Sequence, residues 1–124
     1  SVNINDWLSE RPLEPQLPMY VQTLNEGDVK SSGLAVASLK AGSLGYKGIS
    51  ATALETAGIN TLDKVRGAPF ADWDTLIQHW RGALLQLVSE IGEGYASVSP
   101  TNVAACTYCG LQPLCRINSA EQSA

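Results

Sequence analysis

Trp73-Asp74-Thr75-Leu76-Ile77-Gln78-His79-Trp80-Arg81-Gly82-Ala83-Leu84-Leu85-Gln86-Leu87-Val88-Ser89-Glu90-Ile91-Gly92-Glu93 is the longest periodic run in the chain. Trp73, Leu76, Ile77, Trp80, Leu84, Leu87, Val88 and Ile91 recur at intervals of three and four, which draws one apolar face along a helix over 73–93. Asp72 is the natural N-cap, and Asp74 meets the positive end of the helix dipole. Gly92 and Gly94 mark the exit. Gly82, in the middle, costs about 1 kcal/mol against alanine and suggests a close crossing by another segment.

Upstream, residues 1–13 read as irregular, with Asp6-Trp7-Leu8 able to start a short turn before Pro12 and Pro15 stop it. A second helix is expected from Glu14 to Glu26. Pro15 and Pro18 fall in its first turns, Leu17, Val21 and Leu24 form its stripe, and Gly27 ends it. Leu34 to Lys40 reads as a strand, and Tyr46 to Ser50 as its antiparallel return across a four- or five-residue connection. Residues 51–71 carry only weak periodicity and read as a long connection, with a short helical turn near 52–57. Ser97 to Ala105 is a linker. The expected class is α+β: helix, β-hairpin, long amphipathic helix and a C-terminal cysteine segment.

The chain has 124 residues, 44% hydrophobic and 16% charged. That suits one small domain or a piece of a larger one, with a modest core. No apolar run approaches the roughly 20 residues of a membrane span, and the first residues carry no signal-peptide pattern. The net charge is −4 with no basic run, so non-specific nucleic-acid binding by bulk electrostatics is not expected of this chain alone. The three cysteines, Cys106, Cys109 and Cys115, lie in one short stretch. An odd count so crowded is unlike a secreted disulfide framework, and the expected compartment is the cytoplasm.

Those cysteines form a C-x2-C-x5-C pattern. The first two thiolates can reach one metal centre, and the third arrives after Gly110-Leu111-Gln112-Pro113-Leu114. A closed zinc site or four-thiolate cluster needs one more ligand. Free thiols, or a Cys106–Cys109 disulfide, are the alternatives. His79, the single histidine, would complete a Cys3His set, although a solvated surface position is expected for it. Gln16 and Tyr20, four apart, share a helical face; their amide and phenol suit a metal-bound water, a carboxylate or a phosphate, or simply a polar helix start. Trp73 and Trp80 are in phase with the core stripe. Trp7 could in principle stack on a base, and Lys40, Lys47 and Arg116 could touch phosphates.

Taken in order, Gln16-Leu17-Pro18-Met19-Tyr20, the hairpin, the tryptophan-anchored helix, Ala105-Cys106-Thr107-Tyr108-Cys109 and Leu114-Cys115-Arg116 resemble the C-terminal end of RecB-like exonucleases. These belong to the PD-(D/E)XK superfamily, and the likeness is to its iron–sulfur branch, related to AddB-type nucleases and bacterial probable DNA repair proteins. It runs from about Trp7 to Arg116. The resemblance implies a nuclease core over 1–105, a cluster segment over 106–117 and a polar tail over 118–124. It implies a DNA exonuclease acting in repair or recombination, with Gln16 and Tyr20 in a supporting active-site role. Cys106, Cys109 and Cys115 would be ligands of a structural [4Fe–4S] cluster completed by a distant upstream cysteine. A Mg2+ ion would be held by an Asp and an (Asp/Glu)-x-Lys strand. Glu26 and Asp28 before Lys30, or Asp63 before Lys64, do not make that pairing, and the resemblance places the strand just before Ser1. The upstream nuclease or helicase-like region and DNA are the implied partners; no membrane is. The competing expectation is a small zinc-binding or protein-interaction module without catalysis.

Overall fold

The structure is a computed structural model and describes residues 2–27 and 30–115. It is mixed α+β and divides into two units, Ser1–Gln86 and Leu87–Ala124. Along the chain run α1 (Ile4–Leu8), α2 (Gln16–Asn25), β1 (Gly33–Lys40), β2 (Ser43–Ser50), β3 (Ile59–Thr61), α3 (Trp73–Gly92) and α4 (Gln112–Cys115). Short 3-10 turns stand at Leu62–Lys64 and Val103–Cys106.

Within the stretch expected to be irregular, one helical turn forms over Ile4–Leu8, around the Asp6-Trp7-Leu8 that could start one, with bends after it. Asn3 caps α1 by accepting from the Asn5 N–H at 3.2 Å, and the single turn that follows buries Trp7 and Leu8. Trp7 is 1% exposed, so it is a core residue and not a stacking platform for a base. Helix α2 starts at Gln16, with Pro15 at its N-cap. Val21 is buried and Leu17 packs against the core, but Leu24 is exposed, so the expected stripe is a residue shorter than its spacing suggests.

The hairpin is tighter than expected. β1 and β2 pair antiparallel from Gly33↔Ser50 to Lys40↔Ser43, leaving only Ala41 and Gly42 in the turn. Gly42 has φ 77°, the left-handed geometry that a short turn demands of one residue. The expected four- or five-residue connection misread Ser43, Leu44 and Gly45, which continue the ladder.

The weakly periodic stretch after β2 holds a third strand and no helical turn at 52–57. β3 pairs parallel to β2 through Gly48↔Ile59, Ile49↔Asn60 and Ser50↔Thr61, giving the order β1-β2-β3. Parallel neighbours ordinarily need a crossover of roughly a dozen residues or more, and this chain reverses within 51–58. Gly58 makes that possible. Its φ is 88°, and a Cβ there would sit 1.8 Å from the Tyr46 carbonyl oxygen. Ser50, fully buried, donates its hydroxyl to Thr52 O at 2.8 Å and pins the start of the loop.

Helix α3 is capped as its sequence predicts. Asp72 Oδ1 accepts from the Thr75 N–H at 2.8 Å and from the Thr75 hydroxyl at 2.9 Å. Those bonds hold the Asp72 carboxyl below the usual range: the Thr75 N–H contributes most and the Thr75 hydroxyl next, outweighing desolvation, with the Asp74 N–H a smaller help. At the far end Tyr95 N–H reaches Glu90 O and Gly94 N–H reaches Ile91 O, a Schellman closure with Gly94 in the left-handed region.

Polar handles tie the first half of α3 to the rest of the first unit. Trp73 Nε1 donates to Ser31 O (2.9 Å), Gln22 Nε2 to Ile77 O (2.8 Å), His79 Nε2 to Ser9 O (3.0 Å) and Trp80 Nε1 to Trp7 O (2.7 Å). The core is Trp7, Leu8, Val21, Ile49, Leu62, Trp73, Leu76 and Trp80. The indoles of Trp73 and Trp80 meet edge to face, with centroids 6.0 Å apart. The second half of the expected stripe is not buried: Val88 is 66% and Ile91 78% exposed. Gly82 has open space where a Cβ would go, so no described segment crosses it closely.

Truncating Trp80 to alanine is expected to cost about 3–5 kcal/mol from the cavity, a large share of the roughly 5–15 kcal/mol typical of a domain. Gly82→Ala is expected to stabilise by about 1 kcal/mol. Denaturant titration of both variants checks the pair, because only a correct assignment of the helix faces gives opposite signs. Asp72 yields a pH test. Its lowered pKa means its contribution is fully present above the ordinary carboxylate value of about 4 and is lost as pH falls through the lower folded-state value. The melting temperature of Asp72→Asn, measured from pH 6 downward, should therefore converge on that of wild type in acid.

Candidate functional site

Gln16 and Tyr20 stand one turn apart at the start of α2, and Gln16 Nε2 donates to the Tyr20 hydroxyl at 2.8 Å. Both are exposed, Tyr20 by about half. Because the phenol oxygen accepts from the amide, its own O–H is left to donate outward. The second amide N–H and Oε1 of Gln16 also remain available. The pair can thus present donors to an anionic oxygen or to a water, with one acceptor beside them.

Beside Gln16 lies a cavity of about 350 Å3. Val2, Trp7, Leu17 and Val36 make its apolar part, and Asp6, Glu14 and Gln16 are among its polar lining. Asp6 accepts from Asn3 Nδ2 at 3.1 Å, the same asparagine that caps α1. Asp6 and Glu14 are neighbours of Gln16 that no spacing in the sequence reveals. The signal available was Asn3-x2-Asp6, the spacing of a capped helix start, but it says nothing of where that helix packs.

Other expected residues are placed as follows. His79 is not a solvated surface histidine. It is half-buried, bonds Ser9 O, and its ring lies 4.7 Å from that of Phe70. Facing both ways, the ring found an apolar neighbour and a carbonyl that the helix's own periodicity does not reveal. Lys40 and Lys47 are exposed on the hairpin. Glu26 follows α2, and Asp63 and Lys64 sit in the 3-10 turn. Asp28, Arg116 and the tail over 118–124 lie outside the described residues.

In the second unit, Asn102 caps the turn Val103–Cys106 by accepting from the Ala105 N–H at 2.9 Å. The Cys109 N–H returns to Cys106 O at 3.1 Å, closing a tight turn between the first two cysteines. Gln112 Nε2 also donates to Cys106 O, which links that turn to α4. Cys115 ends α4, its thiol 3.5 Å from Gln112 O. All three thiols are free; Cys109 is exposed and the other two are half-buried. Their donor type suits a soft metal or an iron–sulfur cluster, but their number falls one short of a closed site. Among the described residues no group of three or more His, Cys, Asp or Glu is assembled to hold a metal ion. None of these residues also forms a helix long and apolar enough to cross a membrane.

No family model, curated protein or solved structure matches the chain.

Exposure orders the thiols. Under native conditions Cys109 is expected to alkylate first, with Cys106 and Cys115 following. Timed iodoacetamide labelling read by peptide mass spectrometry measures that order, and slower labelling of Cys109 than of Cys115 would contradict the placement of α4.

Proposed function

We propose that this chain is the C-terminal part of a RecB-like, iron–sulfur PD-(D/E)XK exonuclease that hydrolyses DNA phosphodiesters in repair or recombination. One observation carries the reading. Three free thiols fall on a segment in which neither the turn Val103–Cys106 nor α4 buries a residue. A segment without apolar burial needs another source of order, and thiolate ligation by a shared metal centre provides one. The fourth ligand of such a cluster comes from outside the described residues. When bound, the cluster supplies structural cross-linking, and Cys106, Cys109 and Cys115 are the residues of this chain that would hold it.

In the same reading Gln16 and Tyr20 position a scissile-phosphate oxygen or a water at the mouth of the active site, through the outward phenol O–H and the spare amide donors. A Mg2+ ion would be held by carboxylates, beside a lysine, supplied by another part of the nuclease, and would there lower the pKa of a bound water and neutralise charge on the phosphate. The α+β arrangement of a helix, a hairpin and a long helix is compatible with this assignment.

The chain alone is expected not to degrade linear DNA with magnesium or manganese above the level of its Gln16→Ala variant. The polypeptide that joins it to the preceding nuclease region, purified anaerobically, should be brown, with broad visible absorption and about four irons per chain. Cys109→Ser should bleach it. A colourless protein with one zinc would exclude the cluster and favour the small zinc-binding or interaction module. Cleavage by the chain alone, lost in Gln16→Ala, would show that it carries its own catalytic metal site.

A further inference from the structure

Among the described residues β1 bounds the sheet with no strand beyond it, and the phase of the ladder fixes which of its main-chain groups are left over. The Gly48 N–H donates to Gly58 O at 2.9 Å, toward β3. In a strand paired on both sides, main-chain groups alternate, so Lys47 and Ile49 are the residues that bond to β1, through Val36 and Leu34. The N–H and C=O of Ala35, Ala37 and Leu39 therefore point out of the sheet. Outside the ladder, no backbone hydrogen bond among the described residues reaches them.

Exposed edges are usually guarded by charge, proline or a bulge. β1, Gly-Leu-Ala-Val-Ala-Ser-Leu-Lys, carries one charge, at its end. Its two faces differ in chemistry. On the outer face Leu39 lies opposite Leu44 and Ala37 opposite Tyr46; Leu39 and Leu44 are 84% and 77% exposed. On the inner face Val36 borders the cavity that Asp6, Glu14 and Gln16 line, and no lysine or arginine lines that cavity.

We propose that the open edge of β1 is a strand-addition site for an extended segment of a partner polypeptide that alternates lysine or arginine with branched apolar residues. The partner's backbone pairs with Ala35, Ala37 and Leu39. Its basic side chains reach Asp6 and Glu14, and its apolar ones cover Ala37, Leu39 and Leu44. Charge decides against a second copy of this chain as the occupant. The inward residues of β1 are Leu34, Val36, Ser38 and Lys40, of which only Lys40, at the end of the strand, is a cation, and two chains of net charge −4 repel. The site lies wholly in the first unit and stands whether or not the nuclease reading holds.

The test uses the isotope-labelled chain and a short end-blocked peptide alternating valine with lysine. Saturable binding is expected, with slowed hydrogen exchange at the amides of Ala35, Ala37 and Leu39. The same peptide with glutamate for lysine, or N-methylated on its edge-facing amides, should not bind. Asp6→Asn and Glu14→Gln should each weaken binding about two- to fivefold, as for exposed ion pairs. Ala37→Pro, which removes one outward N–H and leaves the ladder to β2 intact, should abolish it. If that variant fails to fold, the N-methylated peptide answers the same question on the unaltered chain. Equal binding of the glutamate or N-methylated peptide, or no binding at all, overturns the proposal. So does protection of the three amides that grows with protein concentration in the absence of peptide, which would identify a second copy as the occupant.

Discussion

The hydrogen bond from the Trp80 indole to the carbonyl of Trp7, 2.7 Å long and fully buried, is the contact on which the first unit depends. It joins residues far apart in the chain and satisfies both a donor and an acceptor that burial would otherwise leave costly. A leucine at position 80 could fill apolar space but could not supply the N–H. With the indole in place, α1 is held against α3, and the Trp73 ring completes an edge-to-face pair that shapes the rest of the core.

The other handles on α3 repeat that logic. Trp73, Ile77 and His79 each meet a loop or a neighbouring helix through one polar contact, so the orientation of the helix is set by directional bonds as well as by apolar packing. Non-directional burial alone would tolerate rotation of the helix about its axis by a fraction of a turn; these bonds do not. The second unit is organised differently. Its order rests on caps and tight turns around Asn102, Cys106 and Gln112, with exposed apolar residues such as Tyr108 and Leu114. Local hydrogen bonds of this kind are individually weak in water, so the proposed ligation of the thiols would contribute much of the order there.

The candidate chemistry is likewise divided by physical character. Gln16 and Tyr20 are two ends of one local hydrogen bond on one helical face, so their pairing needs nothing but the helix. A metal-dependent hydrolysis needs clustered carboxylates, and a closed cluster needs a fourth soft ligand. Neither is assembled among the described residues. The proposed nuclease is therefore a reading in which this chain supplies positioning donors and part of a staple, and another region supplies the reacting centre.

Features that depend on neighbours along the chain were legible in the residues themselves: the long helix, its Asp72 cap, its glycine exit, the hairpin, the shared face of Gln16 and Tyr20 and the cysteine spacing. Each follows from a period or a cap that a few adjacent residues specify. Features that depend on encounters across the chain were not. β3 is three residues long and exists because Gly58 lets the chain pass against Tyr46. Trp7 is a core residue because a distant indole reaches its carbonyl, and His79 is half-buried because Phe70 and Ser9 come to it. In the C-terminal half of the apolar stripe, Val88 and Ile91 keep helical phase yet stay exposed, and Leu84 and Leu87 are only half-buried. Periodicity specifies which side of a helix is apolar, whereas burial requires a second surface to meet it, and only the folded chain determines where that surface ends.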